Sequence, residues 1–482
     1  MALVAAPAGA AELDDQDIAD AIENELLFDP AVAVNDIDIS VANGIVTLTG
    51  TTDNILARHR AERIAETVRG VKAVVNRITV DPPTERSDAA VRQDVLAALA
   101  TDPATESYDL DISVDDGIVT LRGTADSWAE RRLAGTVARG VRGVLGVINE
   151  VDVIATGDRP DSEIKAEVTQ ALHWDVLVDH GLIEVTVEDG KVMLSGTVGS
   201  AAEKRRARFD AWVGGVTEVD ASALEVEPWA RDEDLRPATD VAPSDERIEQ
   251  ALNTALIHDP RVLSLHVTPD VDDGVVTLRG NVNNLKAKRA AAQVARNTMG
   301  VARVVNRLKV RPDAMMSDAE IAVNIRQALR RDPYVERREV IVDVTGGTAS
   351  LTGTVDSYFE KRQAQDAASR VNGVTRIRNN LDVSDPGPLA YDPYVYDDYF
   401  YGEPWYDYEP QVTFETDAQI ADEINEELRW SPFVDGNDVT VTVMDGIATL
   451  TGMVDSWREY NAATENAYEG GAVWVDNDLT IQ

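Results

Sequence analysis

IDISVANGIVTLTG, residues 37–50, decides the fold. It holds two runs in which apolar and polar side chains alternate, separated by Asn43-Gly44. Alternation with a period of two marks a strand with one buried face. Asn-Gly accepts positive φ at both centres of a type I′ turn. The stretch therefore predicts a β-hairpin. Its second half, GIVTLTG at 44–50, returns as GIVTLRG at 117–123, GKVMLSG at 190–196, GVVTLRG at 274–280, GTASLTG at 347–353 and GIATLTG at 446–452. The opening glycines are 73, 73, 84, 73 and 99 residues apart. A fixed period with two stretched intervals marks a repeat array. The other five turns are Asp116-Gly117, Asp189-Gly190, Asp273-Gly274, Gly346-Gly347 and Asp445-Gly446.

Upstream of each hairpin runs a stripe with an apolar residue at every fourth position: Ile18/Ile22/Leu26, Val91/Val95/Leu99, Ile164/Val168/Leu172, Ile248/Leu252/Leu256, Ile321/Ile325/Leu329 and Ile420/Ile424/Leu428. That spacing is one face of a helix. Asp14 and Asp15 open the first of these helices, and Ser87, Ser162, Ser244, Ser317 and Thr416 are the expected N-caps of the rest. Ser317 with Glu320 and Thr416 with Gln419 fit a capping box. Pro30, Pro103, Pro260, Pro333 and Pro432 end the pattern, with Val176 standing there in repeat 3.

Downstream, Asp53, Asp126, Asn283, Asp356 and Asp455 are read as caps of a second helix, Gly199 being the exception. That helix runs to Gly70, Gly143, Gly215, Gly300, Gly373 and Gly471, a residue type suited to a left-handed end. A last strand, VKAVVNRITV at 71–80 in repeat 1, closes the unit. The predicted fold class is α+β: six tandem small α-β-β-α-β domains, each a three-stranded sheet packed against two helices. The repeats span 14–81, 87–154, 161–227, 244–311, 317–384 and 416–482, with a proline-containing spacer at 228–243. Units this small bury little surface alone, so neighbours are expected to support one another.

The 482 residues carry a net charge of −41, from 86 acidic and 45 basic side chains, and no cysteine. Disulfides and thiolate metal sites are excluded. Nucleic acid is not an expected partner, because its binding rests on phosphate neutralisation. Aromatic residues make up only 5%, so the cores are expected to be Val, Ile, Leu and Ala. No apolar run reaches membrane-spanning length. MALVAAPAGAAELDDQ at the start is small and apolar, and residues 1–13 read as a disordered start or a signal-peptide remnant. The first reading goes with a cytoplasmic protein, the second with the periplasm or cell envelope.

The order helix, hairpin with DGIVTLRG, helix, GVxxVxN and strand resembles the BON domain, named for bacterial osmotic-stress and nodulation proteins. The closing signature is Gly70-Val71…Val74…Asn76, Gly300-Val301…Val304…Asn306 and Gly373-Val374…Ile377…Asn379, with Gly143-Val144 and Asn149 in repeat 2. Repeat 3 departs, with Asp220 near the Asn position, and repeat 6 reads GGAVWVDN with Asn477. The resemblance implies a non-enzymatic envelope protein that binds phospholipid or other membrane components and protects against osmotic or envelope stress.

Eight and nine residues after the motif's closing glycine stand Arg58/His59, Arg131/Arg132, Lys204/Arg205, Lys288/Arg289 and Lys361/Arg362, with Tyr460/Asn461 in repeat 6. In an acidic chain these in-phase basic pairs are candidate contacts for phosphate head groups, weak singly and additive over several repeats. The alternatives are a solvated face or salt bridges to a neighbouring repeat. The insert at 385–415 holds seven of the 12 tyrosines, eight acidic residues and no basic one. Tyr394, Tyr396, Tyr399, Tyr401, Trp405 and Tyr406 are candidate partner contacts there, for a scaffold that binds other proteins through this insert and its sheet edges, or a strap over repeats 5 and 6. The five histidines show no metal-ligand spacing, and phosphate-loop, dinucleotide and nucleophile-elbow motifs are absent. No enzyme activity, cofactor or metal is expected.

Overall fold

The computed structural model describes residues 13–32, 36–105, 109–154, 159–231, 243–262, 267–312, 316–335, 340–384, 416–431, 433–454 and 456–481. The N-terminal segment, most of the spacer, the Tyr-rich insert and the expected cap Asp455 lie outside the described residues. All six repeats have the order α-β-β-α-β. In repeat 1 these are helix Asp15–Phe28, strands Asp36–Ala42 and Ile45–Thr52, helix Ile55–Thr67, and a closing strand that begins at Ala73.

The hairpin is antiparallel, with Val41 opposite Val46. The closing strand lies parallel on the other side of the middle strand, with Val74 opposite Val46, because the second helix returns the chain across the sheet as a crossover. The repeated motif is therefore the central strand in every repeat. Closing strands differ more: in repeats 1 and 4 they break in two, and in repeat 3 the strand bulges between Asp220 and Ala223.

Each repeat has its own core. All 18 residues of the six helical stripes are at most 6% exposed. The first centre of each turn has φ between 46° and 57° and the second between 70° and 75°, as a type I′ turn requires. The turns are also held from outside. The residue after each first N-cap is an aspartate, and its carboxylate accepts both turn N–H groups. The distances are 2.7 and 2.9 Å for Asp15 in repeat 1 and 2.9–3.1 Å for Asp88, Asp161, Asp245, Asp318 and Asp417. These donors hold the carboxyls of Asp15 and Asp318 below the ordinary range.

Several expected boundaries move. The second helices are capped one residue later, by Asn54, Ser127, Ser200, Asn284, Ser357 and Ser456, each accepting from the third helical N–H. Repeat 3 is then no exception. Pro160, not Ser162, precedes the first helix of repeat 3. Both capping boxes form. The glycines at 70, 143, 215, 300, 373 and 471 are left-handed, but they stand beyond the last helical residue. The spacer begins as a 3-10 turn, Pro228–Arg231, with Ala230 buried.

Support between repeats is not confined to neighbours in sequence. The core of repeat 1 takes in Ala201 of repeat 3 and Phe359 of repeat 5, with Trp430 of repeat 6 packed against it. Phe433 of repeat 6 packs on Leu177 and Ala202 of repeat 3. Lys286 of repeat 4 reaches Asp102 of repeat 2 at 2.7 Å. Val176, where the other repeats have proline, donates its N–H to Asn297 O at 3.0 Å, and Met299 N donates to Trp174 O at 2.9 Å. A proline lacks that donor, so its loss in repeat 3 frees a backbone bond to repeat 4.

Repeats 2 and 5 meet where Arg142 donates to the carbonyls of Asp332 and Val335, at 2.8 and 2.9 Å. Burial pushes the Asp332 carboxyl up to about 6, against the opposing bond from Tyr334 N and the charge of Arg370. A raised carboxyl favours the folded state below its unfolded pKa, and that advantage is lost as pH climbs from about 4 through 6. Asp332→Asn keeps the turn acceptor without the charge. It is expected to raise stability at pH 7 by roughly 2 kcal/mol and to flatten the pH dependence in that window. Denaturant midpoints at pH 4, 5, 6 and 7 check this, and identical pH profiles for both proteins would refute it.

Candidate functional site

The basic positions fall into two structural classes. In repeats 2, 3 and 6 the side chain of the first residue reaches the closing strand, and in repeat 1 the Nε of Arg58 is buried without a hydrogen-bond partner. Arg131 donates to Asn149 O at 2.7 Å, and Lys204 to Leu224 O at 2.6 Å. In repeat 6 the hydroxyl of Tyr460 donates to Asn477 O at 2.7 Å. Three different side chains thus serve as donors to one strand. The strand answers through its asparagine: Asn76, Asn149, Asn306, Asn379 and Asn477 donate to the backbone carbonyls of Arg58, Arg131, Lys288, Lys361 and Tyr460 at 2.7–2.9 Å. The signature asparagine therefore ties the closing strand to the second helix. Burial pushes the Lys204 ammonium down.

The second residue of each pair has more varied surroundings. Arg205 pairs with Glu66 of repeat 1 at 2.6 Å, and Arg289 lies 3.7 Å from Asp366 of repeat 5. Burial pushes the Glu66 carboxyl up, with Arg205 pulling the other way. His59 stands 3.9 Å from Glu62 of its own helix. Arg362 has both terminal nitrogens buried without a hydrogen-bond partner. The salt-bridge alternative therefore describes Arg205 and Arg289, and the pairs do not share one environment.

One pair lines a cavity. Between repeats 2 and 3, Trp128, Arg131, Arg132, Asn149 and Trp212 surround about 240 Å³. Trp128 opens the second helix of repeat 2, and Trp212 follows the second helix of repeat 3. Their ring centroids are 4.2 Å apart, and Trp128 Nε1 donates to Val216 O at 3.0 Å. Arg131 stacks on Trp128 at 4.9 Å and Arg132 on Phe209 at 3.9 Å. Nε and Nη1 of Arg132 are buried with no hydrogen-bond partner. A buried donor left unmatched costs free energy, and an anion is its natural complement. The cleft offers two guanidiniums and indole walls, a binding chemistry. Its lining has no nucleophile and no acid–base pair.

The basic pair is legible in the sequence, but the two tryptophans that wall it are not read as partners, since they stand 84 residues apart in different repeats. The candidate contacts Tyr394, Tyr396, Tyr399, Tyr401, Trp405 and Tyr406 lie outside the described residues. No helix among the described residues is long and apolar enough to cross a membrane.

The repeat geometry can be set against known proteins. The BON domain family model matches residues 14–82, 87–155, 160–228, 244–312, 317–385 and 416–482. The chain belongs to the BON domain family. Osmotically-inducible protein Y of Escherichia coli (strain K12) is 31% identical over 143 residues, which cover 28% of this BON chain and 71% of that protein. An uncharacterized protein in the gshII 5'region of Anaplasma centrale is 33% identical over 133 residues, 27% of this chain and 87% of that one. Among solved structures, CdsD, a structural protein of the Type III secretion system of Chlamydia trachomatis, aligns at 17% identity with a TM-score of 0.12. That alignment covers 43% of this chain and 91% of its own.

Proposed function

We propose that this BON protein is a non-enzymatic protein of the periplasm or cell envelope that binds phosphate-bearing phospholipid head groups and serves in osmotic or envelope stress. The observation that carries the reading is the cleft between repeats 2 and 3, where Arg132 has buried donors without a partner beside Arg131 and two indoles. A phosphate oxygen matches guanidinium donors, and an indole, apolar in its rings and polar at its N–H, suits the half-wet zone behind a head group where glycerol esters meet acyl chains. The name of the Escherichia coli relative, an osmotically inducible protein, supports the stress role.

The cleft holds its own reporters, Trp128 and Trp212. Tryptophan emission titrated with sn-glycerol 3-phosphate is expected to shift in the wild type. In Arg132→Gln the affinity is expected to fall by about tenfold or more, the worth of a hydrogen bond to a charged group. Flotation with phosphatidylglycerol vesicles is expected to weaken in the same variant. An unchanged emission together with no flotation would sink the phospholipid reading.

A further inference from the structure

The closing strand is an outer strand of every sheet, and the balance of charge on its outward side chains differs from repeat to repeat. Repeats 2, 3 and 6 expose carboxylates there: Glu150 and Asp152, then Glu218, Asp220 and Glu225, then Asp476 and Asp478. Two of these are answered from the middle strand, Glu150 by Arg122 and Glu218 by Lys191. Repeats 4 and 5 instead expose mainly cations, Arg303, Arg307, Lys309 and Arg311, followed by Arg376 and Arg378, with Asp382 the one exposed carboxylate at the far end of the repeat 5 strand. Among the described residues, the six cations enter no ion pair or side-chain hydrogen bond.

Charges of either sign would keep an outer strand from pairing with another chain. That role does not explain why cations gather on two consecutive repeats of a chain with net charge −41, or why, among the described residues, none of the six enters an ion pair. Outward residues two apart on a strand are about 7 Å apart, so the cations form rows rather than a point. A row of guanidinium and ammonium groups complements a surface of phosphate esters. At physiological salt, screening over roughly 8 Å lets such a row act without regard to distant acidic repeats.

We propose that the basic closing strands of repeats 4 and 5 are the face on which the chain lands on an anionic phospholipid surface, and that the acidic strands of repeats 2, 3 and 6 take no part in that contact. This rests on the phospholipid reading and adds an orientation to it. It places the first electrostatic contact away from the cleft at Arg131 and Arg132.

The test is flotation of the full chain with phosphatidylcholine vesicles, with and without phosphatidylglycerol, in low and high salt. Three variants are compared with the wild type: Arg303→Gln/Arg307→Gln/Lys309→Gln, the charge-matched Lys72→Gln/Arg77→Gln/Lys165→Gln, and Arg132→Gln. Arg77 is the repeat 1 counterpart of Arg307, so the second variant controls for net charge and strand position. Partitioning of the first variant onto phosphatidylglycerol vesicles is expected to fall on the order of a hundredfold, from roughly fivefold per cation at an anionic surface. The charge-matched variant is expected to stay near wild type, and circular dichroism checks that all variants keep the fold. Equal losses in the two triple variants would reduce the effect to net charge and overturn the orientation. Wild-type partitioning of the first variant, with loss in Arg132→Gln, would overturn the orientation and keep the phospholipid reading. Absence of vesicle binding by the wild type would overturn both. Salt-dependent self-association lost in the first variant, without vesicle binding, would assign the strands to a second copy of the chain instead.

Discussion

Replacing Lys286 with methionine is expected to destabilise the protein by about 3–5 kcal/mol. The Lys286 side chain is 2% exposed and that of Asp102 3%, and the ammonium donates to both carboxylate oxygens at 2.7 Å. Burial pushes the Lys286 pKa down while Asp102 opposes it, so the pair is held by geometry rather than by solvent. The single variant strands a buried carboxylate, which accounts for most of the loss. Lys286→Met/Asp102→Asn removes both charges and keeps an acceptor for Ala104 N, now served by Asp102 at 3.0 Å. It is expected to recover most of the stability. Urea unfolding followed by circular dichroism compares the variants. Hydrogen exchange in the helices of repeats 2 and 4 then shows whether the loss is shared across the junction. A single variant as stable as the wild type, or a double variant no better than the single, would contradict this account.

Gly196→Ala is expected to cost about 3 kcal/mol or more. The closing glycine of the motif has φ between 110° and 141° in all six repeats. A Cβ on Gly196 would lie 2.0 Å from the carbonyl oxygen of Leu182, a backbone atom that cannot swing aside. The substitution therefore adds strain in the left-handed region to a clash with the backbone just before the first strand, which begins at Ile183. Gly346 is the control. It has φ +57° with open space around its Cβ position, and four repeats place aspartate and one asparagine there. Gly346→Asn is expected to be near neutral, because asparagine tolerates that conformation. Thermal unfolding separates the two, and a tolerated alanine at 196 would show that the hairpin start can move.

Much of a single repeat was legible because its signals are periodic and local. The stripe Ile18/Ile22/Leu26 and the Asn43-Gly44 turn each rest on a few consecutive residues, and both appear as expected. The second-helix caps are legible only to within one residue, because four of the repeats described at this position place two capping types side by side, as in Asp53-Asn54 and Asp126-Ser127. Gly199-Ser200, with a single capping type, is the pair that fixes the register. The aspartate that clamps each turn stands 28 or 29 residues before it, a constant spacing visible in the sequence but absent from short-range patterns. The basic pairs were visible in phase, but their surroundings were not. Arg205 meets Glu66 across 139 residues, and no periodicity encodes which repeat faces which. The signs of the outer strands required knowing which residues point outward.

An open array of stacked repeats can gain or lose a copy by duplication at the expense of a single junction. This chain is built otherwise. Its first repeat touches the third, fifth and sixth, and its second touches the third, fourth and fifth. Excising one repeat would orphan side chains in several others, among them buried groups such as Asp102 and Lys286. Descent by duplication is written in the six in-phase motifs, but each copy has since become part of the seat of others.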